Sequence, residues 1–164
     1  MSTGLAALTL FHVGLSLVGI VSGFVVVYGL LTAKRLNGWT ATFLSTTLAT
    51  SLTGFLFPVH KLLPSHVIGI LSTLVLAIAI FAFYQRGLAG AWRRAYVVNA
   101  IIGLYLNVFI LIAQLFMRVP ALKALAPTRS APAFQIAQLS VLIIFVLLGI
   151  FATRNFEHEQ AHAA

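Results

Sequence analysis

An all-α integral membrane protein, folded as a polytopic bundle of five transmembrane helices, is the fold class this sequence predicts. Three observations carry the prediction. Five apolar stretches each approach the roughly 20 residues a helix needs to cross hydrocarbon. The connections between them are short, which makes one compact domain of neighbouring helices the natural arrangement over 1–154. Of 164 residues, 61% are hydrophobic and only 7% charged, against about a quarter charged in soluble chains.

The first span is expected over 5–31. It is far longer than the 7–15-residue core of a signal peptide, and no positive segment precedes it, so it reads as a retained span. His12, Ser16, Gly19 and Gly23 fall on one face of it. The glycines form a small-xxx-small pair that lets another backbone approach closely. The second span, 39–57, is the least hydrophobic, with eight Ser or Thr residues whose hydroxyls can bond back to carbonyls one turn earlier. Pro58 and Pro64 bracket a short, stiff connection to the third span, 67–84. The fourth span, 95–117, carries a polar line of Tyr96, Asn99, Gly103, Asn107 and Gln114. Hydrocarbon cannot satisfy amides, so Asn99, Asn107 and Gln114 are expected to face the interior. Pro120, Pro127 and Pro132 mark a loop with room for one interfacial turn over 121–126. The fifth span, 134–153, opens with Gln135 and Gln138, and a polar tail over 155–164 is expected to fray.

Charge sets the expected orientation. With five spans, Lys34, Arg35, Arg86, Arg93, Arg94 and Arg154 share one face, and Lys61, Arg118, Lys123 and Arg129 share the other. Six against four favours a cell-membrane protein with its N-terminus outside and its C-terminus in the cytoplasm. The net charge of +8 therefore reads as headgroup anchoring, with the lipid bilayer and other membrane subunits as partners, and not as nucleic-acid binding.

Absences narrow the chemistry. There is no Cys, no Asp, and no Glu before position 157, so disulfides, thiolate metal sites and covalently attached haem are excluded. Intramembrane carboxylates, on which proton-coupled transporters usually rely, are missing as well. No nucleophile–base pair or phosphate-binding glycine loop suggests catalysis.

One constellation remains. The topology brings His12, His60 and His66 to one membrane face whichever way the chain inserts. Imidazole is the commonest metal ligand, and two imidazoles from different helices can hold a haem b iron axially. His12 and His66 are the better facing pair, with Gly14 and Gly69 nearby and Lys61 and Arg118 available for propionates; His60 would be an alternative ligand. The arrangement is similar in outline to small membrane cytochromes of b type, although only one imidazole pair can form here. The tail histidines, His158 and His162, are spaced to bind a metal weakly. The expected function is an accessory or structural membrane protein without chemistry of its own. The alternatives are an electron-transfer or quinone-handling protein with one haem b or metal, and a small-solute permease subunit using the Asn99–Gln114 line.

Overall fold

The computed structural model describes residues 3–57 and 64–161, and all regular structure among them is helical. The helices are α1 (Thr3–Leu31), α2 (Asn37–Gly54), α3 (Pro64–Ile80), α4 (Ala91–Arg118), the short α5 (Pro120–Leu125) and α6 (Pro132–Ala161). Four segments are long and apolar enough to cross a membrane: Thr3–Leu31, His66–Gln85, Ala91–Arg118 and Pro132–Phe156. The expected fifth, α2, falls short of that standard. It has 18 residues, and its eight hydroxyls lower its hydropathy where the other helices carry Leu, Ile and Val.

α2 compensates for its polarity within its own backbone. Thr42, Ser45, Thr46, Thr50, Ser51 and Thr53 each donate to a carbonyl three or four residues earlier. A hydroxyl bonded in this way exposes little unsatisfied polarity to its surroundings.

Helix ends follow backbone chemistry. α1 closes in a Schellman turn: Lys34 N–H bonds Gly29 O at 2.7 Å, Ala33 N–H bonds Leu30 O at 3.3 Å, and Ala33 takes the left-handed φ of 55°. Prolines open α3, α5 and α6, where a missing N–H costs nothing. α3 runs on into a π-helical turn, Phe81–Gln85, in which Arg86 N–H reaches back five residues to Phe81 O. The chain then reverses through Gly87 and Leu88, both at positive φ.

α1 and α4 form the centre. α2 and α3 pack on one side of them, each against its sequence neighbour and against each other, while α6 bridges α1 and α4 on the other side. The glycine pair of α1 does make close approaches. A Cβ at Gly19 would lie 2.8 Å from Thr47 Oγ1, and one at Gly23 would lie 2.6 Å from Leu104 Cδ1 and 3.0 Å from Phe43. Leu10, Val21, Ile143 and Ile144 are among many large apolar side chains left facing outward, as lipid contact requires and water forbids. α6 does not end near Thr153 as expected. It continues as helix to Ala161, with Phe156 buried and Asn155 Nδ2 donating to Leu31 O at 2.9 Å.

Candidate functional site

The two ends of the bundle differ. At the end carrying Leu31, Lys34 and Arg35, the packing is tight. Tyr96 is 1% exposed and its hydroxyl lies 3.1 Å from Thr40 Oγ1. Phe83, turned inward by the π-helical segment, tilts against the Tyr96 ring at 5.1 Å and lies under the Arg35 guanidinium at 5.4 Å. Arg86 covers Trp92 in the same fashion at 5.2 Å. Cation–ring contacts of this kind let a guanidinium lie flat on an aromatic cap while its edge reaches headgroups or water.

At the other end, α1, α2, α3 and α4 splay around a half-open cleft of about 120 Å³. Its polar wall is His12 and Ser16 from α1, Thr47, Thr50 and Ser51 from α2, His66 and Ser72 from α3, and Asn107 from α4; Phe55, Ile68, Leu106 and Ile110 supply the apolar part. Among the described residues no charged group lines it. One turn deeper, Gly23, Phe43, Leu76, Gly103 and Leu104 close the space, since a Cβ on either glycine would meet Phe43 or its neighbours.

The cleft's hydrogen bonds are traceable. Thr53 Oγ1 lies 2.8 Å from Ala49 O and 2.9 Å from His12 Nδ1. Its single proton goes to the carbonyl, so the oxygen accepts from His12 Nδ1–H, and Nε2 of the imidazole keeps its lone pair. Phe57 stands edge-on to the same ring at 5.3 Å. Ser16 donates to Asn107 Oδ1 at 2.8 Å, whereas Asn107 Nδ2 has only a long 3.5 Å contact with Ser16 O. Ser51 and Ser72 join α2 to α3 at 2.9 Å. Among α2's eight hydroxyls, Thr47 stands apart. It is 1% exposed and its Oγ1 has no partner. A second buried orphan, Gln138 Oε1, lies outside the cleft on α6, whose Gln138 Nε2 donates to Phe109 O at 3.1 Å.

The histidines and amides expected to matter are distributed unevenly. His12 and His66 line this one cleft, with Gly69 on its wall and the Phe55 ring 5.9 Å from the His66 ring. Gly14 faces open space and shapes nothing. His60 and Lys61 lie outside the described residues, as do His162 and the side chain of His158. Among the described residues no three His or acidic side chains gather closely enough to hold a metal ion. On α4, Asn107 is 8% exposed and belongs to the cleft. Asn99 is half-buried and donates to its own Ala95 O at 2.8 Å. Gln114 is exposed and accepts from Arg118 Nε at 3.1 Å, so it does not extend the interior line. An arginine one turn away satisfies that amide at the helix end, and the neighbouring helices no longer cover it. Arg118 is likewise engaged there and not at the cleft.

The orphaned hydroxyl of Thr47 is what the sequence did not disclose. In a helix where every second or third residue is Ser or Thr, nothing distinguishes the one whose oxygen goes unbonded. The stripe Phe43, Thr47, Thr50, Ser51 and Gly54, read as a helix face, was the available signal. No family model, curated protein or solved structure matches this chain.

Proposed function

We propose that this is a five-span cell-membrane protein of accessory or structural type whose α1–α4 cleft binds a small, uncharged, hydrogen-bonding molecule. The observation that carries the reading is Thr47 Oγ1, buried without a partner on a cleft wall. An unpaired buried hydroxyl costs about 1–3 kcal/mol, and a ligand or water that reaches this oxygen past Gly19 would remove that cost. Around it stand a lone-pair nitrogen on His12 and an under-used amide N–H on Asn107, so a ligand carrying both a donor and an acceptor is the match. The absence of charge among the described wall residues favours a neutral one.

α2 serves as the fifth span in this reading. Its 18 residues extend about 27 Å, close to the roughly 30 Å hydrocarbon core, and its hydroxyls bond inward. With five crossings, the loop charges favour an external N-terminus and a cytoplasmic C-terminus. Reporter fusions at Asn37 and Ala89 should both report cytoplasm, and a fusion at Thr128 the exterior. Opposite signals at Asn37 and Ala89 would remove α2 from the membrane and with it this topology. For the cleft, small molecules released from protein purified out of its native membrane are compared between wild type and Thr47→Val. A compound retained by the former and lost from the latter supports binding, and identical profiles sink it.

A prosthetic group between His12 and His66 is the second reading, favoured by the shared cleft. A haem b needs a pocket on the scale of larger ligands, about 300–1,000 Å³, against about 120 Å³, so the cleft does not fit it. The expected reduced-minus-oxidised spectrum of the purified protein is featureless; a Soret band abolished by His12→Ala would reverse the order of the two readings. A solute path along α4 is disfavoured by the closed layer at Phe43, Leu76 and Leu104.

A further inference from the structure

The corner between α4, α5 and α6 is built from different chemistry. Lys123 and Arg129 line a cavity of about 320 Å³ whose base is Phe116, Met117 and Phe134, with the two phenyl rings edge to face at 5.5 Å. Arg129 Nη2 lies 3.5 Å from Met117 Sδ, a weak acceptor that folds the guanidinium over the apolar base while leaving its stronger donor capacity open. Thr128 and Ser130 share a 2.9 Å hydrogen bond beside it, so one hydroxyl proton stays available. The only carboxylate side chains in the chain, Glu157 and Glu159, belong to the far end of α6, so no acid compensates the two cations.

A second observation lies on the same seam. Val98, Ile102, Tyr105, Leu142 and Val146 line a groove of about 180 Å³ between α4 and α6 that is apolar throughout its surface, with Gly149 leaving it room. Phe116 follows Val98 by 18 residues, five helical turns, so corner and groove share one face of α4. Tyr105 lies 11 residues before Phe116, about 16 Å along the axis. That is about the full depth of one leaflet, half of a roughly 30 Å core, so an acyl chain anchored at the corner meets the groove at its near end, Tyr105 and Leu142.

We infer that this corner seats one anionic phospholipid, its phosphate against Lys123 and Arg129 and an acyl chain running down the α4–α6 seam toward the near end of the groove. An anionic headgroup meets two uncompensated cations, whereas a zwitterionic one brings its own ammonium to compete with them.

The test equilibrates the full-length protein, in neutral detergent, with equimolar phosphatidylglycerol and phosphatidylcholine of identical chains, and counts retained lipid by native mass spectrometry. The expected result is one preferentially held phosphatidylglycerol. The preference should fall by about 25-fold in Lys123→Gln/Arg129→Gln, since each surface cation contributes about a factor of five. It should persist in Lys34→Gln/Arg154→Gln, which removes the same charge from the opposite end. Equal retention of the two lipids would overturn the inference, as would a preference that survives the first double variant or one that both double variants abolish alike.

Discussion

The end of the bundle at Tyr96 and the end at His12 share helices α1 to α4, with α6 added at the first, and one is closed while the other is not. At the closed end, buried Tyr96 pairs with Thr40, and at its exposed rim Asn155 bonds the last turn of α1 and Arg35 lies on the face of Phe83. At the open end the polar groups are more numerous and less fully matched, with Thr47 unpaired and Asn107 Nδ2 barely engaged. Polarity inside a membrane bundle is therefore not itself a mark of function. Both ends carry polar groups, and of the two buried orphans only Thr47 belongs to a cleft wall, Gln138 Oε1 lying away from it.

The comparison breaks most visibly at the layer between the two ends. Gly23→Val should be the most damaging change, because its side chain would run into Leu104 and Phe43, contacts already 2.6 and 3.0 Å from a bare Cβ. Overpacking of this kind costs about 1–3 kcal/mol or more, and thermal unfolding in detergent should read it directly. Tolerance of Gly23→Val would mean that the closed layer is looser than its geometry. Next comes Tyr96→Phe, which strands the Thr40 hydroxyl and should cost about 1–2 kcal/mol without altering ligand retention at the cleft. Asn107→Leu removes one interhelical bond to Ser16; such bonds average about 0.6 kcal/mol in membrane bundles, and a midpoint lowered by only a few degrees is expected. Thr47→Val should have the opposite sign. Removing an unpaired hydroxyl leaves stability unchanged or raises it by about 1 kcal/mol, while ligand retention is lost. If Thr47→Val destabilises as Tyr96→Phe does, the two ends are alike and the cleft is ordinary packing. Gly14→Ala, with nothing within 4 Å of the new methyl, should change neither property and serves as the baseline.

Helix placement was largely legible because long apolar runs leave few alternatives: α1, α4 and most of α6 begin and end within a few residues of the runs that predicted them. α2 was the exception. A run of hydroxyls looks the same in sequence whether it spans, skims or lines a cavity, and only the i−4 carbonyl bonds reveal how it carries its polarity. The π-helical turn at Phe81–Gln85 gave no sign, since one extra residue in a turn follows from what Phe83 must reach and not from local propensity. Topology alone predicted that His12 and His66 would share an end, and they share a cleft. Gln114 misled for a related reason. A helical wheel gives direction but not depth, and by Gln114 the helices that bury Tyr96 and Asn107 are no longer alongside. The last helix runs on past the apolar stretch that predicted it, with Asn155 bonded to α1 and Phe156 buried, because one amide and one ring beyond Thr153 find partners that a hydropathy run does not register.

The bond from Asn155 to Leu31 joins residues 124 positions apart, and it closes the bundle by setting the last helix against the first. During synthesis α1 and α4 can pair with what precedes or adjoins them, but the faces awaiting α6 stay bare until nearly the whole chain has been made. The order of assembly is thus imposed by the architecture: the cleft-forming helices can gather early, and the final helix locks them late, as contacts of long sequence separation generally form last. A chain interrupted before α6 would keep the ingredients of the cleft while leaving a long greasy seam open to any passing helix.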